Sequence, residues 1–421
     1  MLYYLFDYFA SQNLRWSAVF NYVSTRATFA VIVSLIVSIV IGRQIITLLR
    51  EKQISDAVRP YTIEGMLSKK GTPTMGGLII LAAILIPTLL FCRLDNIYII
   101  LMIIATLWLG GLGFADDYIK VFKKNKEGLA GRYKLVAQMG LGVLVALVFL
   151  TSPAVVIKEN ARQVLEEGRV VTEFATVETQ SLQTTIPFVK GHNLDYSAIA
   201  PWLGIGQNSE LFTIIFVSLL FVFIVMAVSN GANLTDGLDG LCTGSSAIIG
   251  VVLGILAYIS SHIGMAAYFN VMFIPGAEEL VVFAAAFIGA TAGFLWFNSF
   301  PAQIFMGDTG SLTLGGIIAI FAIVIRKELL LPILCGVFLV ETLSVIIQTT
   351  YFRYTKRRTG VGKRVFKMTP LHHHYQKPGD GSIDALLQRP YRPIPEAKIT
   401  TRFWLIGIVL AVLTIATLKF R

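Results

Sequence analysis

Long apolar segments recur along the whole chain and alternate with short polar ones. Ten of these segments approach the ~20 mainly apolar residues that a helix needs to cross a bilayer. They lie at 28–49, 76–92, 96–115, 133–151, 211–229, 241–260, 279–297, 311–326, 329–351 and 402–420. The pattern predicts an all-α polytopic membrane protein with about ten transmembrane helices. No internal repeat is visible, so the sequence does not favour an inverted-repeat transporter.

Basic residues concentrate in the loops on one side of this predicted bundle. Loops 50–75, 116–134 and 352–401 are rich in Lys and Arg, whereas loop 152–210 has four basic residues against seven acidic ones. The positive-inside rule makes the basic side cytoplasmic. Because ten spans return the chain to its starting side, both termini are predicted to be periplasmic.

Two loops are predicted to be insertions in a single integral membrane domain over 1–421. The periplasmic segment 152–210 is polar and partly β-branched, and we expect a small cap on the outer face. The cytoplasmic segment 376–400 is rich in Pro and Gly, which indicates an irregular connector.

Composition agrees with the membrane assignment. The chain of 421 residues is 55% hydrophobic and only 14% charged, with a mean hydropathy of +0.71. Soluble chains are typically about 25% charged. These values exclude a soluble, secreted or nucleic-acid-binding protein. The net charge of +10 is therefore interpreted as a topology signal.

Polar residues gather in five short segments. These segments are KKGTPTMGG at 69–77, FADDYIK at 114–120, NGANLTDGLDG at 230–240, NSFPAQIFMGDTGS at 298–311 and PLHHHY at 370–375. The span count, which used only hydropathy and basic residues, puts all five on the cytoplasmic side. We therefore predict one composite site at the cytoplasmic membrane surface.

Three acids in these segments are candidate metal ligands. Asp116 and Asp117 end the third span and, as helix neighbours, point about 100° apart, so they are expected to serve different partners. Asp308 stands before the eighth span, where it either caps that helix or holds a cation. Hard oxygen ligands without cysteine favour Mg²⁺ or Mn²⁺. The simpler alternative is a pair of solvated acids and a capping acid.

The remaining segments supply groups that suit phosphates. Asp236 and Asp239 are three residues apart in a glycine-rich loop, which suggests a phosphate cradle or, alternatively, an ordinary turn with a capping Asp. The His triplet at 372–374 offers hydrogen-bond donors to phosphate or sugar oxygens, unless it is a solvated polar loop. Lys69 and Lys70 are further candidate phosphate contacts, although the segment is not a Walker A motif.

The combination indicates phosphoryl transfer on a diphosphate, between one soluble and one lipid substrate. The motifs GTPTMGG, FADDYIK, NLTDGLDGL, FNSFPAQIFMGDTGSL and HHHY resemble those of the phospho-N-acetylmuramoyl-pentapeptide transferase family. That family belongs to the polyprenyl-phosphate N-acetylhexosamine-1-phosphate transferase superfamily. The resemblance implies Mg²⁺-dependent transfer of phospho-MurNAc-pentapeptide from UDP-MurNAc-pentapeptide to undecaprenyl phosphate. The products are lipid I and UMP, and the implied location is the bacterial inner membrane.

The resemblance also implies roles for individual residues. The catalytic set is Asp116, Asp117, Asp308 and His372, in which Asp117 and Asp308 contact the metal and Asp116 accepts the proton of the lipid phosphate. The implied substrate-binding set is Lys69, Thr74, Lys120, Lys134, Asn233, Asp236, Gly237, Leu238, Asp239, Asn298, Phe305 and His373. Phe305 is available to stack on uracil. Membrane lipids are expected partners, a homodimer is allowed, and nucleic acid is not expected.

Several alternatives stay open at this point. A sister enzyme that transfers phospho-GlcNAc to the same carrier has similar Asp motifs, although the His triplet and the GTPTMGG run favour the muramoyl enzyme. A cation or solute transporter is disfavoured, because its acids belong at mid-membrane depth. We hypothesise direct attack of the lipid phosphate on the β-phosphorus of the donor; the alternative is a covalent phospho-aspartyl intermediate, and the sequence does not separate the two. Both insertions are longer than expected for the family.

Overall fold

A computed structural model describes residues 1–12, 15–51, 71–123, 125, 127–158, 160–166, 169–174, 178–188, 193–206 and 209–419. Every predicted apolar run contains a helix. The helices are α1 (Leu2–Ser11), α2 (Val23–Glu51), α3 (Gly77–Phe91), α4 (Ile97–Phe122), α5 (Gly131–Thr151), α6 (Ile199–Trp202), α7 (Ser209–Thr235), α8 (Leu241–Ser261), α9 (Ile263–Phe269), α10 (Glu278–Asn298), α11 (Gly307–Val324), α12 (Leu331–Leu334), α13 (Gly336–Thr359), α14 (Leu371–Gln376) and α15 (Glu396–Thr417).

Eight helices in the described ranges are long and apolar enough to cross a membrane, namely α2, α4, α5, α7, α8, α10, α11 and α15. A ninth span is formed if the segment 328–334 and α13, which are bent by 76°, are taken together. The apolar helix α3 has only 15 residues, or ~22 Å against a hydrocarbon core of ~30 Å. The all-α polytopic membrane fold is confirmed. The count of ten and the side of the termini stay predictions.

Helix α3 is shorter than its apolar run because the residues at its start are hydrogen-bonded to another segment of the chain. Met75 has a positive φ of 72°. The backbone N–H groups of Gly76 and Gly77 donate to the carbonyls of Phe305 and Met306 at 2.8 and 2.9 Å. The segment before α3 is thereby held to the segment before α11.

The described residues also form three two-stranded sheets, which lie outside the helix bundle. β1 (Asn160–Glu166) and β2 (Arg169–Phe174) form an antiparallel hairpin, as do β3 (Gln183–Thr185) and β4 (Asn193–Asp195). β5 (Arg364–Phe366) and β6 (Ala385–Leu387) pair in parallel. The first two sheets give strand structure to the predicted cap at 152–210. β6 lies within the predicted connector at 376–400.

Helix α11 is the centre of the bundle, and all of its residues from Thr309 to Val324 are buried. The backbone of α11 lies close to the backbones of α3 and α4 at glycine residues. A Cβ added at Gly77 would overlap the backbone of Gly310, and one added at Gly113 would overlap Asp308 and Thr309. Small residues allow such close backbone contact between membrane helices. The start of α11 is therefore fixed against both α3 and α4.

A buried ion pair holds α2, α3 and α10 together at the opposite end of the bundle. Arg26 donates to both carboxylate oxygens of Glu279 at 2.7 Å and to the carbonyl of Phe91 at 3.1 Å. The backbone N–H of Arg93 also donates to Glu279 at 2.9 Å. Arg26 and Glu279 are 2% and 1% exposed. Loss of either partner leaves a buried charge without compensation.

We expect the substitution Glu279→Ala to lower the free energy of unfolding by about 3–5 kcal/mol, because breaking a buried pair strands the remaining ion. Arg93→Gln is the matched control. It breaks the exposed pair between Arg93 and Asp95, at 3.4 Å, and a long contact of the guanidinium with the Tyr3 ring, at 5.9 Å. Exposed pairs contribute about 0–1 kcal/mol. Unfolding in detergent measures both variants. Equal loss in the two variants would contradict the buried pair's structural importance.

Candidate active site

The five polar segments converge on one end of the bundle, as far as they are described. The starts of α3 and α11 meet the ends of α4, α7 and α10 at this end. The backbone N–H of Phe305 donates to the carbonyl of Pro73 at 2.8 Å. Thr74, beside that contact, is buried. Lys69, a predicted phosphate contact, lies outside the described residues.

Asp116, Asp117 and Asp308 form the acidic cluster of the site. Each offers one carboxylate oxygen within 4.8 Å of the other two. They come from two helices, since Asp116 and Asp117 are near the end of α4 and Asp308 is the second residue of α11. The structure thus brings together the three acids of the predicted catalytic set.

Asp117 is bound to the N-terminus of α11. Its carboxylate accepts hydrogen bonds from the backbone N–H of Asp308 at 3.1 Å, and from the N–H and hydroxyl of Thr309 at 2.9 and 2.6 Å. A helix start has unpaired N–H groups and a partial positive charge, so it stabilises a carboxylate. Asp117, which is 3% exposed, therefore caps α11 from a different helix. The alternative in which Asp308 caps this helix is replaced by this arrangement.

Asp116 faces a different set of partners. It accepts the backbone N–H of Leu129 at 2.7 Å, and it lies 2.6 Å from the Lys120 amine and 2.9 Å from the Lys134 amine. Its side chain is fully buried. One hydrogen bond, two ion pairs and complete burial disfavour the predicted role of Asp116 as a base that contacts the lipid phosphate. The carboxylate instead holds the two lysines in place.

Asp308 is the most exposed acid of the cluster, at 14% of its side chain. Its Oδ2 receives the amines of Lys134 and Lys120 at 2.6 and 3.2 Å, and its Oδ1 receives the amide of Asn233 at 3.0 Å. The same Asn233 amide also donates to Ser311 at 2.9 Å. Three predicted substrate contacts, Lys120, Lys134 and Asn233, thus converge on one carboxylate.

The loop between α7 and α8 lies against this cluster. Asp236 is half-buried and accepts the backbone N–H of Gly307. Burial, followed by the nearby charges of Asp308, Asp117 and Asp239, raises the pKa of Asp236 above its usual range. A cation or another positive group at this position would favour its charged form.

Asp239 and Leu238 have structural contacts in the same loop. The carboxylate of Asp239 accepts the backbone N–H of Ala302 at 2.9 Å, and its own N–H donates to Glu396 at 2.8 Å. Asp239 and Leu238 are 3% and 4% exposed. Asp239 therefore joins the loop before α11 to the start of α15. The alternative of a capping Asp does not apply to it, since Gly240 is the N-cap residue of α8.

The first two residues of the His triplet lie in different environments. His372 is fully buried; its backbone N–H donates to Glu341 at 3.2 Å, and its Nδ1 lies 3.2 Å from a Glu341 oxygen. Its Nε2 faces Gly237, where an added Cβ would overlap the ring. The Nδ1 atom of the half-buried His373 lies 2.8 Å from the Gln376 side chain. The His372 ring thus packs against the loop at Gly237.

Asn298 and Phe305 shape the segment that leads into α11. The buried Asn298 amide accepts the Thr243 hydroxyl at 2.8 Å and donates to the Ile304 carbonyl at 3.0 Å. Both ends of this side chain are therefore bound within the protein. Phe305 is half-buried, so part of its ring is accessible at the site.

Sequence reasoning missed three residues that matter to this geometry. Thr309 binds Asp117, Glu341 contacts His372, and Glu396 holds the backbone of Asp239. A signal was available for Glu341, because a single acid inside an apolar run is costly and usually has a partner. No local pattern indicates the partners of Thr309 or Glu396.

The acidic cluster fits a divalent metal ion. Its ligands are carboxylate oxygens, which suit Mg²⁺ and Mn²⁺. The amines of Lys120 and Lys134 lie among these oxygens and offset the negative charge of Asp116 and Asp308. Asp308, the most exposed of the three acids, and Asp117 remain the proposed ligands.

The Asp117 cap gives a direct test of the structure. Thr309→Val removes a hydroxyl bond to a carboxylate, which typically contributes about 1.5–3 kcal/mol, whereas a neutral bond contributes about 0.5–1.5 kcal/mol. The matched control is Thr313→Val, because the Thr313 hydroxyl donates to a backbone carbonyl of the same helix, also at 2.6 Å. We expect the larger loss of unfolding free energy in detergent for Thr309→Val. Equal losses would contradict the capping role.

Two family models match the sequence. The model described as glycosyl transferase family 4 matches residues 99–326, which include α4, α5, α7, α8, α10 and α11. The model described as phospho-N-acetylmuramoyl-pentapeptide-transferase signature 1 matches residues 69–81. The second match covers the segment that is hydrogen-bonded to the start of α11.

Curated relatives match over the full length. Proteins named phospho-N-acetylmuramoyl-pentapeptide-transferase from Parabacteroides distasonis and Porphyromonas gingivalis are each 62% identical to this chain. A protein of the same name from Bacteroides thetaiotaomicron is 52% identical. Each comparison covers 100% of both chains. The chain therefore belongs to the phospho-N-acetylmuramoyl-pentapeptide-transferase family.

Proposed function

We propose that this protein transfers phospho-MurNAc-pentapeptide from UDP-MurNAc-pentapeptide to undecaprenyl phosphate, with lipid I and UMP as products. The observation that carries the proposal is the acidic cluster at the start of α11, bridged by Lys120 and Lys134, in a chain that matches this family end to end. Peptidoglycan synthesis is the process that uses this reaction.

The reaction is a phosphoryl transfer with a simple balance of bonds. An oxygen of the lipid phosphate attacks the β-phosphorus of the donor, and a new P–O bond forms. The bond between that phosphorus and the bridging oxygen breaks, and UMP leaves with the electron pair. A phosphate monoester has a second pKa of about 6, so much of the attacking phosphate is already a dianion at neutral pH.

We propose direct attack by the lipid phosphate, without a covalent aspartyl intermediate. A nucleophilic carboxylate needs to be accessible and free of strong donors. Asp116 and Asp117 are buried; Asp117 accepts three hydrogen bonds, and Asp116 accepts one and is ion-paired with Lys120 and Lys134. Asp308 is accessible but receives two lysine amines and an amide. None of the three has the environment of an activated nucleophile.

Mg²⁺, held by Asp308 and Asp117, would offset the negative charge of the donor diphosphate. The chain's own residues then position the reactants. Lys120 and Lys134 are 33% and 19% exposed, so both amines are able to turn from the carboxylates toward phosphate oxygens. Phosphate binding and carboxylate binding would thus compete for the same two amines.

The donor nucleotide is proposed to bind at the glycine-rich loop. Asn233, near the end of α7, and Asp236, in the loop, lie next to the acidic cluster, and Gly237 lies against His372. Phe305 supplies an accessible ring for uracil, and Lys69, Thr74 and His373 are proposed to contact the sugar or the diphosphate. His372, Asp239 and Asn298 are proposed to act through the backbone that they hold, because each is buried with partners inside the protein.

The site is proposed to face the cytoplasm from a bacterial inner membrane. The basic loops 50–75, 116–134 and 352–401 support this orientation through the positive-inside rule. The chain is then one membrane domain with the insertion 152–210 on the periplasmic face and the insertion 376–400 on the cytoplasmic face. A soluble donor from the cytoplasm and a lipid acceptor from the membrane would meet at the start of α11.

Release of UMP by the purified protein tests the function. The protein in detergent receives undecaprenyl phosphate, Mg²⁺ and either UDP-MurNAc-pentapeptide or UDP-GlcNAc. We expect UMP from the muramoyl donor alone, no UMP after addition of EDTA, and no exchange of labelled UMP into the donor without the lipid. UMP from UDP-GlcNAc alone would contradict the substrate assignment. Exchange without lipid would contradict direct attack.

We expect Asp308→Asn to lower turnover by at least ~100-fold, since it removes charge from a preorganised electrostatic site. The side chain keeps its size, so the protein should remain folded. Asp95→Asn is the matched control, because Asp95 is an exposed acid at the opposite end of the bundle. Turnover of UMP measures both variants. Near-normal turnover in folded Asp308→Asn would remove this residue from the site.

A further inference from the structure

Residues 360–391 form a small plate beside the end of α13. Within it, β5 and β6 pair in parallel, with Arg364 opposite Ala385 and Phe366 opposite Leu387. The plate contains α14 and most of the insertion 376–400. The His triplet is the part of this plate that belongs to the proposed site. The outer surface of the plate has no part in the proposed reaction.

Hydrogen bonds hold the plate alongside the last turns of α13. The Thr355 hydroxyl accepts the backbone N–H of Lys363 at 2.8 Å. The Gln348 side chain accepts the N–H groups of Val365 and Phe366, both at 3.0 Å. β5 is therefore level with the last three turns of α13, and β6 is level with β5.

These turns of α13 have the surface of a helix in contact with lipid. Ile346 and Ile347 are 52% and 46% exposed, and Phe352 and Tyr354 are 37% and 55% exposed. The helix has 24 residues and bends by 76° from the preceding segment. Its length of ~36 Å exceeds the hydrocarbon core of ~30 Å. An inclined helix that leaves the membrane near these residues accounts for both observations.

The edge of the plate exposes two leucines at this level. Leu386 and Leu387 are 61% and 49% exposed. Leu387 is opposite Phe366, whose N–H is bound to Gln348, only one residue beyond Ile347. Neighbouring exposed leucines at the height of a lipid-facing helix are suited to the boundary between headgroups and acyl chains.

Positive charge lies on the β5 side of these leucines and on the end of α13, whereas the exposed acids Asp380 and Asp384 precede them in the plate. Six basic side chains on the end of α13 and on the plate are exposed, namely Arg353, Lys356, Arg357, Arg358, Lys363 and Arg364. No Asp or Glu occurs between 342 and 379. Within the described part of the chain, none of the six has an ion-pair partner. A surface of this kind attracts anionic phosphate groups.

The plate is held rigidly. The buried amine of Lys367 donates to the carbonyls of Lys377 and Pro390 at 2.6 and 2.7 Å. The ring of His374 accepts the Lys367 N–H at 3.1 Å and lies 2.8 Å from the Arg389 carbonyl. Burial lowers the pKa of both side chains. A flexible basic tail would be sufficient to orient the chain in the membrane, so this rigid construction points to a surface with a defined partner.

We propose that the end of α13 and the plate form a binding surface for the anionic phospholipid headgroups of the leaflet on the site side. The six basic side chains contact headgroup phosphates, and Leu386 and Leu387 enter the boundary with the acyl chains. This surface would keep α13, and with it Glu341 and His372, at a fixed depth. The inference does not depend on the proposed reaction.

Lipid selectivity in reconstituted membranes tests the proposal. The full-length protein is placed in phosphatidylcholine vesicles that contain spin-labelled phosphatidylglycerol or spin-labelled phosphatidylcholine, and the motionally restricted fraction of each label is measured. The test variant combines Lys356→Gln, Arg357→Gln and Lys363→Gln. The control combines Arg50→Gln, Lys398→Gln and Arg402→Gln, which removes three exposed charges elsewhere on the site side.

We expect the wild-type protein and the control to associate with the anionic label at least twofold more strongly than with the zwitterionic label. We expect the test variant to lose at least half of this preference. Equal preference in the test variant and the control, or no preference in the wild type, would overturn the proposal. Unchanged unfolding in detergent establishes that the test variant is folded.

A second measurement tests the depth of the plate. Leu387→Cys provides a single accessible labelling position, because Cys92, Cys242 and Cys335 are all buried. We expect a nitroxide at 387 to be relaxed more by oxygen, which concentrates in the membrane, than by a water-soluble nickel complex. The reverse order would place the plate in bulk water and overturn the proposal.

Discussion

The bond between the Asp117 carboxylate and the first N–H groups of α11 is the constraint on which the site depends. It joins the end of α4 to the start of α11 with two backbone bonds and one hydroxyl bond. Glycine contacts bring the same backbones together from the sides. Because Asp308 is the second residue of α11 and Asp116 adjoins Asp117, this single interaction fixes the relative positions of all three acids. A shift of α11 by one turn would move Asp308 by ~5.4 Å and separate the cluster.

Charge balance explains why such a cluster is tolerated at the edge of a membrane. Each carboxylate is costly to bury alone, but each here has donors that offset the lost hydration. Asp117 uses the helix N-terminus, Asp116 uses two lysines and a backbone N–H, and Asp308 uses the same lysines and Asn233. The lysines are the exposed part of this network. An incoming diphosphate would therefore exchange partners with groups that are already in place, and this lowers the reorganisation that the reaction requires.

Hydropathy and motif spacing were sufficient to predict the membrane fold, the family and the convergence of polar segments. Each predicted run contains a helix, and the three acids meet as expected. The partners of individual side chains could not be predicted, because they are set by helix contacts between distant parts of the chain. Asp117 binds Thr309, which is 192 residues away, and Asn298 is bound to Thr243 and not directed into the site. The short α3 and the plate beside α13 likewise depend on backbone contacts for which no periodic pattern exists.

We propose that the start of α11 holds the metal ion and the donor diphosphate together. Electron–nuclear double resonance of Mn²⁺ bound to the detergent-purified protein detects both ligands of the metal in one experiment. With UDP-MurNAc-pentapeptide present, we predict one bound Mn²⁺ per chain with a ³¹P coupling from directly bound phosphate, and loss of this signal in Asp308→Asn. A ³¹P-coupled Mn²⁺ that binds Asp308→Asn with unchanged affinity would show that Asp308 does not hold the metal ion.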